Sequence, residues 1–290
     1  MQVWRLIRDG YNDGFYNMAV DEAIASAVEE GISPPTLRFY GWKSPTLSIG
    51  YSQRLDKKLV PLCFKTGIDA EYCRKNEIDI VLRPTGGKAV LHDKEVTYSL
   101  ISPKNNPLFP DNISGTCKVI GEALLQGLSF LEIDANLNSS FRIPHSAFRN
   151  SSCFATTSQY EITVDGKKLI GSAQRRFKNS FLQHGSIPLE NHHEILALCL
   201  GYKEGKRFMN LLKEKSIALN ELNGRVYSYD EVADALMRGF EDAFKLVPEE
   251  PAPAGVSRGN NQGIRFKISP LSEYELVLSS RLYEKEKILL

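Results

Sequence analysis

A cysteine in a polar loop is the first residue whose chemistry stands out. Cys153 lies within NSSFRIPHSAFRNSSCFATTS (138–158), a Ser-, Asn- and Thr-rich stretch with no sustained apolar period. Long irregular stretches inside a compact domain are uncommon and are often functional. A thiolate there would be a nucleophile, provided a neighbouring cation favours the ionised form. Lys168 is a candidate for that cation: it follows the turn Asp165–Gly166 directly after the loop. The competing readings are ordinary ones, an incidental loop thiol and a solvated lysine at a hairpin end.

A third candidate is the run Arg83-Pro84-Thr85-Gly86-Gly87 at the end of an apolar segment. Paired glycines let the backbone approach a ligand closely, and their amides can point at a carbonyl or phosphate. A tight turn with an arginine at its rim explains the same residues. The run has neither Walker A nor GxGxxG spacing, so nucleotide binding does not follow from it. His92 and His184 could be hydrogen-bond partners in a site or satisfied core histidines. His192-His193-Glu194 lacks the HExxH spacing, and no metal is assigned.

The other four cysteines, at 63, 73, 117 and 199, are scattered, without CxxC spacing. That argues against a disulfide framework and a structural zinc site. Cys117 and Cys199 fall in helical stretches and read as small buried hydrophobes. The 36 basic and 35 acidic residues nearly cancel, which gives no reason to expect a nucleic-acid or membrane partner. No segment is apolar for long enough to span a bilayer, and the amino terminus lacks the pattern of a signal peptide, so the expected location is the cytoplasm.

The elements that must position these groups follow from periodicity. A helix is expected to open near Asn17, with Val20, Ile24 and Val28 on one face and Gly31 and Pro34–Pro35 ending it. Strands are expected over 36–42, 46–50, 79–83, 95–101 and 180–189, and a short helix near 69–75. Residues 114–131 have helical apolar spacing. YEITV, Asp165–Gly166 and KKLIGSAQ read as a hairpin with a type I′ turn. Helices follow beyond 190. One is introduced by Ser228 and Glu231, and a last one by Ser272 and Glu275, both in the capping-box pattern. The order implies an α+β fold with a mixed or antiparallel sheet flanked by helices. The expected division is a catalytic domain over 1–247, followed over 248–290 by a linker and a strand–helix appendage packed on it.

RPTGGKAVLHD (83–93) followed by EVTYSLI (95–101) resembles the signature of the lipoate–protein ligase and octanoyltransferase superfamily, which includes biotin protein ligase. YNMAVDEAI (16–24), LRFYGWKSPTLSIGYSQ (37–53), GKKLIGSAQRR (166–176) and FLQHGSIPL (181–189) are similar to other parts of that family, and together they cover most of the chain. The resemblance implies the catalytic-domain fold of those ligases and a tunnel for an acyl or lipoyl chain. It places Arg83, Gly86, Gly87, His92, Gly171 and Ser172 at the substrate and makes Lys168 the family's lysine, which orients the acyl carbonyl.

NSSCF is similar to the Ser-Ser-x-Cys-Phe stretch of single-domain cysteine octanoyltransferases, which implies that Cys153 is the nucleophile. The following Ala-Thr-Thr-Ser-Gln differs from the Asp-Ala-Pro-Ser-Trp associated with that group. The implied reaction takes octanoyl from octanoyl-acyl carrier protein through a Cys153 thioester to a lysine of a lipoyl-domain protein or glycine-cleavage H protein. It needs no cofactor, and the enzyme is expected to act as a monomer. Two alternatives stay open: an ATP-dependent lipoate–protein ligase, and a non-catalytic module that binds acylated or lipoylated proteins.

Overall fold

The structure, a computed structural model of the 290-residue chain, describes residues 3–51, 67–138, 160–202, 206–245 and 265–289. Eleven strands and seven α-helices occur among them. Eight strands form one mixed sheet. Its spatial order is β11 (Arg265–Ile268), β1 (Val3–Asn12), β2 (Thr36–Trp42), β6 (Glu95–Pro103), β10 (Ser180–Pro188), β9 (Lys167–Arg176), β8 (Glu161–Val164) and β7 (Asn136–Asn138). β1 is parallel to both β11 and β2, and the other pairings are antiparallel. A second sheet, built from the chain between β2 and β6, runs β4 (Asp79–Leu82), β3 (Thr46–Ile49), β5 (Val90–His92).

Strand alternation decides what each face of the large sheet meets. Leu37, Phe39, Tyr98, Leu100 and Phe181 point into the main core. α3 (Ile113–Ser129) and α6 (Tyr229–Lys245) cover that face with Ile120, Leu124, Leu128, Leu236 and Phe240. The opposite face changes character along the strands. Ile101 and Leu182 pack on Val20, Ile24 and Val28 of α1 (Gly14–Glu29). Next come the polar residues Arg38, Ser99 and His184, which are in register across β2, β6 and β10. The row after that, Tyr40–Thr97–Ser186–Gly171, runs from β2 to β9. The small sheet stands over this last region. Its own outer side packs on α2 (Ala70–Lys75), α4 (His193–Cys199) and α5 (Lys206–Lys215) through Leu47, Cys73, Leu196 and Leu212.

The helix expected from Asn17 starts one turn earlier, at Gly14, because the Asp13 carboxylate accepts from the Tyr16 amide. Asn17 is buried inside the helix instead. Its amide nitrogen donates to the Gly41 carbonyl at 3.0 Å, and its Oδ1 accepts from Arg38 at 2.9 Å. Strand β1, interrupted by charged residues and not expected from the sequence, is paired on both sides. Both capping patterns are present: the Ser228 hydroxyl accepts from the Glu231 amide, and Ser272 and Glu275 cap reciprocally ahead of α7 (Glu273–Leu289). The hairpin turn has positive φ at both Asp165 (49°) and Gly166 (74°), as a type I′ turn requires.

Candidate active site

A cavity of about 280 Å³ lies between the large sheet and the small one. Its floor is the row Tyr40, Thr97, Ser186 and Gly171, with Ala173 and His184 beside it. Three strand spacings separate β2 from β9, about 14 Å. Small side chains on the middle strands leave space there, and Met18, Tyr40 and Trp42 close the β2 end. Ser48, Val90, His92 and Arg83 form the roof, and Gly87 and Lys88 lie at the more exposed rim. At the β8–β9 end stand Glu161 and Lys168.

Seven of the sequence-derived candidates therefore meet around one space: Arg83, Gly87, His92, Lys168, Gly171, Ser172 and His184. Gly86 stands behind that rim, where its carbonyl accepts from Arg83 Nε at 3.1 Å and Nη2 at 2.8 Å. Arg83 also donates to the Lys88 carbonyl at 2.6 Å and, through Nη1, to the Ser48 carbonyl and hydroxyl at 3.1 Å. The guanidinium thus fastens the Gly-Gly loop to β3, a use its fork of donors suits. Gly50 is needed for the same closeness, since a Cβ there would lie 2.1 Å from the Gly87 carbonyl oxygen. Ser172 turns its hydroxyl to the Tyr98 phenol at 2.8 Å and offers its backbone to the cavity. Cys153 and Cys63 lie outside the described residues.

Two buried polar networks brace the cavity. In the first, His92 Nε2 meets the Ser48 hydroxyl at 2.7 Å and Nδ1 meets Glu95 Oε1 at 2.9 Å. Glu95 also accepts from Trp42 Nε1 at 2.9 Å, from the Thr97 hydroxyl at 2.5 Å, and from the Ser186 hydroxyl. In the second, Asp21 accepts from Arg38, Ser99 and Tyr40 at 2.8, 2.8 and 2.9 Å, and lies 3.2 Å from His184 Nδ1. His184 Nε2 is 2.6 Å from the Thr85 hydroxyl. Burial is the main influence on His184 and lowers its pKa, outweighing the pull of Asp21, so the ring is neutral near pH 7. Burial pushes Asp21 upward, but the hydrogen bond from His184 and the charge of Arg38 hold its carboxyl below the usual range.

The geometry at the β8–β9 end depends on a bulge. Register between β8 and β9 shifts between Ile162, opposite Ile170, and Thr163, opposite Lys168. The additional residue brings Lys168 and Gly171, an odd number of positions apart, to the same cavity, the kind of re-aiming bulges perform beside active sites. Lys168 Nζ then lies 2.5 Å from Glu161 Oε1. Both residues are buried, at 2% and 6% exposure. The Lys168 backbone is gripped from the far side as well, where its carbonyl accepts from the Ile217 amide at 3.0 Å.

Sequence reasoning missed Glu161, Glu95 and Asp21. The only signal for them was an acidic residue within or beside an otherwise apolar element. It also left Cys73 and Cys199 without partners. The two buried thiols hydrogen-bond to each other, an interaction that depresses the Cys73 thiol and raises the Cys199 thiol.

With the geometry in place, comparison with known proteins is informative. Residues 13–241 match the family model described as the lipoyl protein ligase A/B catalytic domain. A protein of Geobacillus kaustophilus (strain HTA426) named octanoyltransferase LipM is 39% identical over 259 residues, 86% of this chain and 88% of that one. The protein of the same name from Clostridioides difficile (strain 630) is 36% identical over 291 residues, covering 99% and 97% of the two chains. Among solved structures, the bipartite lipoate protein ligase of Thermoplasma acidophilum superimposes with a TM-score of 0.72 at 21% identity, over 98% of this chain and 93% of that one. A lipoate-protein ligase A bound with ATP gives 0.70 at 23% identity, over 98% and 95%. At such identities these two structures speak for the fold alone, and the fold they share is the mixed α+β arrangement described above.

Proposed function

This chain belongs to the lipoyl protein ligase A/B catalytic-domain family, and on that premise we propose that it is an octanoyltransferase. The observation that carries this reading is the largely apolar cavity ending on the buried Nζ of Lys168. An eight-carbon chain lies between the sheets, its reacting carbonyl beside Lys168. The relatives named octanoyltransferase LipM support the same reaction class.

In this reading the donor is octanoyl-acyl carrier protein. The Cys153 thiolate attacks the thioester carbonyl, the carrier's thiol leaves, and an octanoyl-enzyme thioester remains. The ε-amine of a lysine on a lipoyl-domain protein or glycine-cleavage H protein then attacks that carbonyl. Cys153 departs as thiolate, and the amine proton passes to solvent or a neighbouring base. This is covalent catalysis by an activated thiol. Lys168 donates to the developing oxyanion, where one well-placed donor contributes about 3 kcal/mol. A thioester is already activated, so the reaction runs without ATP.

The test is intact-mass analysis after mixing the protein with octanoyl-acyl carrier protein in the absence of ATP. An octanoyl adduct that disappears in Cys153→Ala is expected. No adduct, with acylation of a lipoyl domain only on addition of free octanoate and ATP, would make the protein a ligase and Cys153 a bystander.

A further inference from the structure

Glu161 contributes the one acidic side chain among the described residues lining the cavity. The other ionisable groups facing that space are Lys168 itself, Arg83, Lys88, His92, His184 and the Tyr40 phenol, and the carboxylates of Asp21 and Glu95 bond to residues of its wall. His193 approaches from behind β9, its Nε2 2.9 Å from the hydroxyl of Ser216, which bridges to the Lys168 backbone. Lys168 thus lies buried at one end of the cavity, with the Glu161 carboxylate in hydrogen-bond contact with its Nζ. A donor stabilises an oxyanion only from a fixed position aimed at it.

From this juxtaposition we propose that Glu161 is a positioning residue for acyl transfer: its carboxylate holds the Lys168 Nζ and aims it along the cavity. The inference rests on the reading of Lys168 given under the proposed function. Three features of the fold serve the pairing. Glu161 opens β8, and Glu161 and Thr163 share one face by strand alternation. The bulge between β8 and β9 puts Lys168 on that face. The Ile217 amide holds the lysine backbone from outside, so the side chain has a fixed base from which to reach the carboxylate at 2.5 Å. Glu161 touches Lys168 and forms no bond to substrate in this scheme. Its action passes through the lysine.

A structural role alone would lower donor binding and activity together. The positioning role makes a different demand, because a donor to the oxyanion acts in the transition state and not in the ground state. In Glu161→Gln, kcat is expected to fall by about 10-fold or more while KM for the acyl donor is unchanged, since a misaimed donor loses part of what an oxyanion contact supplies. Glu161→Asp should restore most of kcat.

A Glu161→Gln protein with the wild-type kcat would overturn the proposal. So would a loss carried by KM alone, or one that Glu161→Asp leaves unrescued. If Glu161→Gln fails to fold, Glu161→Asp decides, with a smaller fall in kcat at unchanged KM expected and none overturning the idea. If the wild type shows no Cys153-dependent transfer, the proposed function falls, and the same split measured in ATP-dependent acylation still judges the pairing of Glu161 with Lys168.

Discussion

The indole of Trp42 and the imidazole of His92 lie face to face, with centroids 4.1 Å apart and planes 10° from parallel. One ring comes from the large sheet and the other from the small one, and Glu95 holds both edges at 2.9 Å. The roof and the floor of the cavity are therefore locked through a single buried carboxylate. In Glu95→Gln the amide oxygen can keep the Trp42, His92 and Thr97 partners of Oε1, but the NH₂ replaces the oxygen that accepts from the Ser186 hydroxyl, which loses its acceptor. A buried polar group left unsatisfied costs about 1–3 kcal/mol. Urea denaturation should show a loss of that size, and an unchanged midpoint would mean that Glu95 does not brace the cavity.

Arg5 and Glu275 tie the first strand to the last helix. The guanidinium donates to both carboxylate oxygens, at 2.6 and 2.5 Å, and Ser33 and the Ser272 amide complete the carboxylate's shell. Removing one partner of a buried pair costs about 3–5 kcal/mol, so Glu275→Ala should be strongly destabilised near pH 7. Burial pushes the Glu275 carboxyl upward, but the hydrogen bonds from Arg5 and Ser272 prevail and set it below its ordinary value of 4.5. A carboxylate depressed in the folded state stabilises it fully above the unfolded value and loses that contribution as pH falls through the folded value. The stability gap between wild type and variant should accordingly close in acid below about pH 4.5. A gap that stayed constant down to pH 2 would contradict the assignment.

Cys117 donates its thiol to Gln183 Oε1 at 3.3 Å, and burial pushes its pKa up to about 11. Because the thiolate is the reactive form, alkylation by iodoacetamide near neutral pH should spare the Cys117 peptide. The proposed nucleophile, Cys153, should be modified first, with activity lost in step. Rapid labelling of Cys117 at neutral pH would show that its surroundings are more open than described.

α3 and α6 meet backbone to backbone at Gly127 and Gly239. A Cβ on Gly239 would stand 2.3 Å from the Gly127 nitrogen and 2.5 Å from the Ala123 carbonyl oxygen. Backbone on a packed helix cannot move aside without separating the pair, and overpacking of this kind costs about 1–3 kcal/mol. Gly239→Ala should lower the melting temperature while leaving KM for the acyl donor unchanged, since the contact lies on the far side of the sheet from the cavity. An altered KM with normal stability would refute that separation.

How far the sequence could be read depended on whether the information was local. Residue pattern located the strands expected at 36–42, 95–101 and 180–189, observed as Thr36–Trp42, Glu95–Pro103 and Ser180–Pro188, and Asp165–Gly166 identified the hairpin. β1 was overlooked because Arg5 and Arg8 break its apolar pattern. Arg5 is nevertheless buried, its charge met by a carboxylate 270 positions away. Asn17 looked like a helix cap because its type suits one. It is instead an interior residue whose amide bridges α1 to β2 and Arg38.

The candidate site divides in the same way. Residue types and family motifs alone brought out Arg83, the Gly-Gly loop, His92, Lys168, Gly171 and Ser172, because each belongs to a short contiguous pattern. The partners that give those groups their chemistry were decided by tertiary structure: Glu161 for Lys168, Glu95 for His92, and Asp21 for His184. An acidic residue in a strand reads as solvent-facing until the opposing layer is known. Periodicity tells which face a side chain takes, and it carries no information about what stands across from that face. Burial and pairing set the charge state of an amine or imidazole, and both arise only when separate elements close around one cavity.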